Sequence, residues 1–346
     1  MYKKVKKIEF ELTTTCNAWC LGCTRYDVTD QGLMKSPYVE FDKQVDLVVI
    51  DNIISQNILA EDAELMFCGT AGDPLAHTKF LEIITLIKDK RPDTWLHIHT
   101  NGGLKHPEYY KKIAQLTNSR DWFKFNVDGL SDTNEIYRRN VSWDKIIENM
   151  KAFNENKNCT SEWQFIIFPW NEHQVEEARE LSIELGFDKF QPREARVYGD
   201  TLKDQKEAAD KGLINEVAKN LPLYNLNESQ PKYGFKDICF SVEGIFVNQN
   251  GIVHPCCAWA DSAYREGNVQ DQIKEFYGQS DWNNLNKYKL KEIMENKFWK
   301  ELYNSLYSNG KQPCLECVKR CGIEDEKPHW DNLVKTDNLD EQDNFW

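Results

Sequence analysis

The sequence predicts an α/β fold in which parallel strands carry their loops to one shared face. Two observations lead there. Over roughly the first 195 of 346 residues, six short strand-like runs alternate with stretches whose apolar residues recur at helical spacing. Strands separated by helices of about 10–15 residues imply right-handed βαβ units and a parallel sheet. A loop carrying three cysteines and the segments GTAGDPL, TNGG and NVDG all follow those strands, where the loops of such folds converge on a cavity.

Taken in order, the first strand is expected at Ile8–Leu12 (IEFEL). The loop leaving it, TTTCNAWCLGC, sets Cys16, Cys20 and Cys23 in a CxxxCxxC array. A polar segment, Asp27–Pro37, precedes a helix from Val45 to Leu59. ELMFCG (Glu64–Gly69) reads as a short buried strand ending in TAGDPL, and Phe80–Lys90 as an amphipathic helix. WLHIHT (Trp95–Thr100) is a strand stopped by Asn101, Gly102 and Gly103. A helix near Tyr109–Leu116 leads to WFKFNV (Trp122–Val127), a strand ending at Asp128 and Gly129. A helix at Trp143–Phe153, the strand WQFIIF (Trp163–Phe168), a helix at Val175–Leu185 stopped by Gly186 and a strand near Lys189–Pro192 complete the series.

Residues 1–200 therefore read as one unit, 201–235 as a polar connector, 236–323 as a smaller α+β unit and 324–346 as an acidic tail. The second unit opens with DICFSVEGIFVNQNGIVHPCC, in which two β-rich runs flank Asn250 and Gly251, a strong hairpin signal. A helical stretch, Asn286–Ser305, then leads to PCLECVKRC.

Composition weighs against several classes of function. The formal net charge of −13, from 56 acidic and 43 basic residues, repels a phosphate backbone, so nucleic acid is a disfavoured partner. The 11 cysteines are odd in number, and MYKKVKKIEF lacks the apolar stretch of a signal peptide, so reduced thiols in a cytoplasm are expected. No run approaches the roughly 18 apolar residues of a membrane helix.

Three thiols on one tight loop can hold one metal centre between them, and iron–sulfur clusters are held by cysteine thiolates. A four-iron cubane with three such ligands keeps one iron open. A closed zinc site would need a fourth ligand nearby, and Thr24, Arg25 and Tyr26 supply none of the usual kind. A second set of cysteines, Cys239, Cys256, Cys257, Cys314, Cys317 and Cys321, suits either another cluster or a four-cysteine zinc site. Cys68 and Cys159, in or beside core strands, read as small buried hydrophobes, and His254 as a structural residue or a donor behind the hairpin cysteines.

The ordered set, CxxxCxxC after the first strand, GTAGDPL after the second, TNG after the third and NVDG after the fourth, resembles the radical S-adenosylmethionine (SAM) superfamily across about the first 200 residues. The resemblance implies a partial (β/α)6 TIM-like barrel with a [4Fe–4S] cluster on Cys16, Cys20 and Cys23. Its open iron would bind the amino and carboxylate groups of SAM. Reductive cleavage would then give a 5′-deoxyadenosyl radical that abstracts a substrate hydrogen atom. Ala71, Gly72 and Asp73 occupy the place of the family's Gly-Gly-Glu segment, with Ala for the first Gly and Asp for Glu. Asn101 belongs to the TNG turn, Asn126 stands before the Val-Asp-Gly turn, and Arg138 stands where an arginine pairs with the SAM carboxylate, next to Arg139.

The C-terminal cysteines resemble the opening and closing elements of the twitch and SPASM extensions found behind such barrels. That resemblance implies one auxiliary [4Fe–4S] cluster on Cys239, Cys256, Cys314 and Cys317, with Cys257 or Cys321 as replacements. It would serve as an electron acceptor or a substrate anchor. The expected activity is that of a radical SAM oxidoreductase or radical transferase, fed by an electron donor such as flavodoxin or ferredoxin. No leader-binding domain is evident before Cys16, so a small molecule (a sugar or aminocyclitol) or a peptide is the expected substrate. The alternatives are an RNA-modifying enzyme and a metal-binding protein that keeps the fold without catalysis.

Overall fold

Residues 4–20, 23–29, 32–195, 234–235, 244–262, 281–307 and 322–323 are described in the computed structural model. Cys239, Cys314, Cys317 and Cys321, expected as auxiliary-cluster ligands or replacements, residues 201–233 of the connector and the tail lie outside them. The chain starts with β1 (Val5–Phe10). After the cysteine loop comes an antiparallel hairpin, β2 (Tyr26–Thr29) and β3 (Gly32–Lys35), where the sequence suggests only a polar segment.

The alternation then follows as α1 (Leu47–Ile54), β4 (Leu59–Phe67), α2 (Phe80–Lys90), β5 (Trp95–Thr100), α3 (Pro107–Leu116) and β6 (Trp122–Asn126). A single turn, α4 (Asn134–Tyr137), precedes α5 (Trp143–Asn154), β7 (Thr160–Ile167), α6 (Val175–Glu184) and β8 (Lys189–Glu194). Helix α1 is shorter than its apolar periodicity: Asp46 caps it by accepting from the Val48 N–H at 2.9 Å, and it stops at Ser55.

Strands β1, β4, β5, β6, β7 and β8 lie side by side in that order, each parallel to the next. This is the arrangement of a partial β/α barrel. Farther along come β9 (Gly234–Phe235), β10 (Gly244–Val247), β11 (Val253–His254) and β12 (Gly322–Ile323). The hairpin expected at Asn250 and Gly251 forms between β10 and β11, with Gly251 at φ +74°, a conformation that glycine adopts without strain. Strand β10 also runs parallel to β1 along its other edge, so the hairpin extends the barrel sheet. The long helix expected over Asn286–Ser305 is broken in two, Leu290–Met294 and Lys297–Tyr307, because Asn296 turns its side chain onto the Phe298 N–H and caps a new helix.

The strands present two unlike faces. Ile8, Phe10, Leu65, Phe67, Ile98, Phe123, Phe125, Trp163 and Phe165 alternate along them and are all buried in the core that the helices cover. Phe123 stacks on Phe153 of α5 with ring centroids 4.1 Å apart. The intervening positions, Lys7, Glu9, His97, His99, Lys124, Glu162 and Gln164, are polar and face the barrel interior. Register aligns them in rows, Glu9, Met66, His97 and Trp122 in one, His99 with Lys124 and Lys124 with Glu162 in the next.

Candidate active site

The interior rows are held by short polar contacts. Lys124 pairs with Glu162 at 2.9 Å, Glu64 with both Lys7 and His97 at 3.3 Å, and the His97 and His99 rings meet at 3.1 Å between their Nε2 atoms. Trp122 closes the layer, stacked on His97 at 5.3 Å and lying under the Lys189 ammonium at 4.2 Å. Burial holds His97 below the ordinary imidazole value, and His99 well below it, with His97, Lys124 and Lys7 adding in the same direction. Both rings are therefore neutral near pH 7.

Above these rows sits the cysteine loop. Its backbone is fixed by bonds from Cys23 N–H to Cys20 O (3.3 Å) and from Trp19 N–H to Arg139 O (3.0 Å), and by the Arg25 guanidinium, which donates to the carbonyls of Cys16 and Ala18. The Cys16 sulfur accepts from the Ala18 N–H and from Asn101 Nδ2, each at 3.4 Å, and Arg138 Nη1 lies 3.9 Å from the Cys20 sulfur. Burial pushes the Cys16 thiol up to about 12 and Cys20 up to about 11, and it raises Cys23 as well. Cys16 feels the Cys20 sulfur, Cys20 that of Cys23, and Cys23 that of Cys16. One buried and two half-buried sulfurs that repel one another as thiolates are a place for positive charge.

The strand-end loops meet this loop closely. A side chain on Gly72 would put its first carbon 1.8 Å from the Thr13 carbonyl, so only glycine allows the approach, and the Asp73 N–H donates to Thr15 O at 3.0 Å. Ala71 is fully buried there. Asn101 donates to Asn17 Oδ1 at 2.9 Å as well as to Cys16, while its own Oδ1 accepts from the Gly103 N–H. Arg138 is turned inward with its Nε on Asp128 Oδ2 at 2.6 Å, whereas Arg139 is exposed, which settles which of the adjacent arginines reaches the interior. Asn126, at the end of β6, has a buried Oδ1 with no partner among the described residues.

Gly72, Asp73, Asn101 and Arg138 are thus brought against the loop that carries Cys16, Cys20 and Cys23, with Ala71 beside Gly72, while Asn126 ends the strand β6 and makes no contact with that loop that the structure shows among the described residues. Cys68 is a correction. It is no mere packing group, since its thiol donates to Glu9 Oε1 at 2.8 Å inside the barrel, where the Cys257 thiol reaches the same carboxyl group. Cys159 does pack in the apolar core. His254 sits in β11 against Phe246 and Asn248, with burial lowering it to about 4. Glu9, Glu11, His97, His99 and Lys124 were not singled out from sequence. Their alternation with Ile, Phe and Leu was the available signal.

A family model described as the radical SAM superfamily matches residues 10–182, half of the chain. The chain belongs to this superfamily. A GTP 3′,8-cyclase of Nautilia profundicola is 24% identical over 290 residues, which cover 78% of this chain and 87% of the cyclase. Among solved structures, Streptococcus suis SuiB bound to S-adenosylmethionine superposes with a TM-score of 0.56 at 17% identity, covering 90% of this chain and 69% of SuiB. AdoMet-bound anSMEcpe gives 0.53 at 15% identity, covering 85% and 78%. These two likenesses concern the fold.

Membership brings SAM and a [4Fe–4S] cluster, and the residues present fit both. Among the described residues no three Cys, His, Asp or Glu side chains gather around a point that one metal ion could occupy. A cubane binds each cysteine through a different iron, so its ligands need no such convergence. The N–H groups aimed at Cys16 and the guanidinium beside Cys20 are the donors that ligated thiolates use. The orphaned Asn126 Oδ1 and Glu11 Oε1 are acceptors that the amino, hydroxyl and adenine N–H groups of SAM can meet. No helix among the described residues is long and apolar enough to cross a membrane.

Proposed function

We propose that this chain is a radical SAM oxidoreductase or radical transferase that takes a hydrogen atom from a small polar substrate, sugar-like or aminocyclitol-like, or from a peptide. The observation that carries the reading is the polar interior of the barrel directly beneath the three-cysteine loop. Cluster and SAM, when bound, supply one-electron carbon–sulfur cleavage and the hydrogen-abstracting radical. The chain's own residues do the rest. Cys16, Cys20 and Cys23 hold the cluster, and Asn101 and Arg138 fix the loop that carries them. The covered interior excludes water from the reacting atoms. Glu9, Lys124, Glu162 and the neutral His97 and His99 offer hydrogen bonds to a polar substrate.

An auxiliary [4Fe–4S] cluster on Cys239, Cys256, Cys314 and Cys317 forms part of the proposal. Engagement of Cys257 with Glu9 supports Cys256 as the hairpin's ligand. The electron donor would be a flavodoxin or ferredoxin. A nucleotide substrate is the second reading, favoured by the likeness to a GTP 3′,8-cyclase over most of both chains.

Anaerobic reconstitution followed by dithionite and SAM tests the enzyme. Formation of 5′-deoxyadenosine is expected, and its absence after full cluster loading sinks the reading. GTP, an aminocyclitol and a short peptide, each added in turn, separate the substrate classes by which one raises that yield. Iron and sulfide counted on the Cys16→Ala, Cys20→Ala, Cys23→Ala variant test the second cluster. Zinc in place of iron there would remove it.

A further inference from the structure

Asp73 stands where the family's acid stands, yet its carboxylate is already spent. Oδ1 accepts from the Leu75 N–H at 3.0 Å and Oδ2 from the Asn101 N–H at 2.8 Å, while the Thr100 hydroxyl lies 3.2 and 3.0 Å from the two oxygens. It is buried and capped on every side, a brace between the GTAGDPL loop and the end of β5. An incoming ligand would have to break that brace to use it.

A second acid reaches the same loop from β1. Glu11 lies just past the strand, on the interior side with Glu9, and is only 1% exposed. Its Oε2 accepts from the N–H groups of Thr70 (2.6 Å) and Ala71 (2.8 Å), so the carboxyl group is held rigidly against the loop. Its Oε1 is buried and meets no partner among the described residues. A buried acceptor in a folded protein is normally paired, by water or ligand if not by protein. The nearby Arg25 spends Nη1 on the Cys16 and Ala18 carbonyls, and Glu9 adds a second acid close by. Glu11 also sits near enough to Cys23 to raise that thiol, which sets it beside the cluster loop.

We propose that Glu11, and not Asp73, is the carboxylate that receives an N–H of the SAM α-amino group in this chain. Oε2 is anchored by the backbone of Thr70 and Ala71, and Oε1 is the free acceptor. The inference rests on SAM binding at the three-cysteine site. It explains how the chain tolerates the shorter acid at position 73: the contact has moved to the neighbouring strand.

The test measures binding of SAM and of an analogue lacking the α-amino group to the cluster-loaded protein, by anaerobic calorimetry. Iron content and cluster absorbance are matched across variants. Wild type prefers SAM; in Glu11→Gln that preference falls about ten-fold, the size of a charge-assisted hydrogen bond, while analogue binding is unchanged. In Asp73→Asn the preference keeps its wild-type value even where both ligands bind more weakly. A preference unchanged in Glu11→Gln, or one lost in Asp73→Asn, overturns the proposal and leaves SAM binding standing. Wild type that binds neither ligand overturns the site itself.

Discussion

The two faces of the barrel sheet share strands, and they were built for opposite ends. The outer face carries Ile8, Phe67, Ile98, Phe123 and Trp163, interlocked with the helices. The inner face, one residue out of step, carries Glu9, His97, His99, Lys124 and Glu162, charged or polar groups that cost free energy to bury and must satisfy one another. An all-parallel sheet covered on both sides normally reads as continuous apolar runs. Here the apolar packing is concentrated outside, while the inside keeps polar groups paired with one another.

The largest expected effect lies on the outer face. Phe123→Ala removes a fully buried ring stacked on Phe153 and should cost about 4 kcal/mol, read as a lower urea midpoint. On the inner face the pair decides the outcome. Lys124→Met alone strands Glu162, itself 2% exposed, and should cost about 3 kcal/mol. Adding Glu162→Leu should restore the midpoint to within about 1 kcal/mol of wild type. Were the double variant as unstable as the single one, the inner face would be carrying the fold after all.

A smaller effect is a matter of pH. His97 and His99 are held below their ordinary value of 6.5, mainly by burial. Below pH 6.5 the unfolded chain takes up protons that the folded chain refuses. Their stability is thus present above that pH and lost as the pH falls. Glu9 and Glu11, raised by burial above 4.5, act in the opposite sense: their contribution is present below 4.5 and lost as the pH rises through their folded values. His99→Gln should therefore lose about 1 kcal/mol less than wild type between pH 6.5 and 5, measured as the difference in urea midpoints.

How much of this was legible in the sequence depended on whether neighbours in the chain carried the signal. Phe80–Lys90 and Trp95–Thr100 fall where periodicity puts them, because local spacing and a flanking turn set both ends. The hairpin of β2 and β3 was hidden, since each strand is only four residues long and its apolar positions, Tyr26, Val28, Leu33 and Met34, are too few to stand out among the polar residues around them. Asn296 broke a helix whose apolar spacing ran straight through, a cap overriding periodicity. The cysteine loop and Arg138 were readable as a pattern, but choosing Arg138 over Arg139 needed the turn at α4 to show which one points inward. Glu11 was invisible for another reason: its meaning depends on Thr70 and Ala71, some sixty positions away.

The central claim is that SAM meets an open iron held by Cys16, Cys20 and Cys23 above the polar interior. Electron paramagnetic resonance of the dithionite-reduced, fully loaded protein, recorded with and without SAM, tests it directly. SAM should shift the cluster signal in wild type and leave whatever signal remains in the Cys16→Ala, Cys20→Ala, Cys23→Ala variant unmoved. A wild-type signal that does not respond to SAM, or a response that survives in the triple variant, would contradict the account.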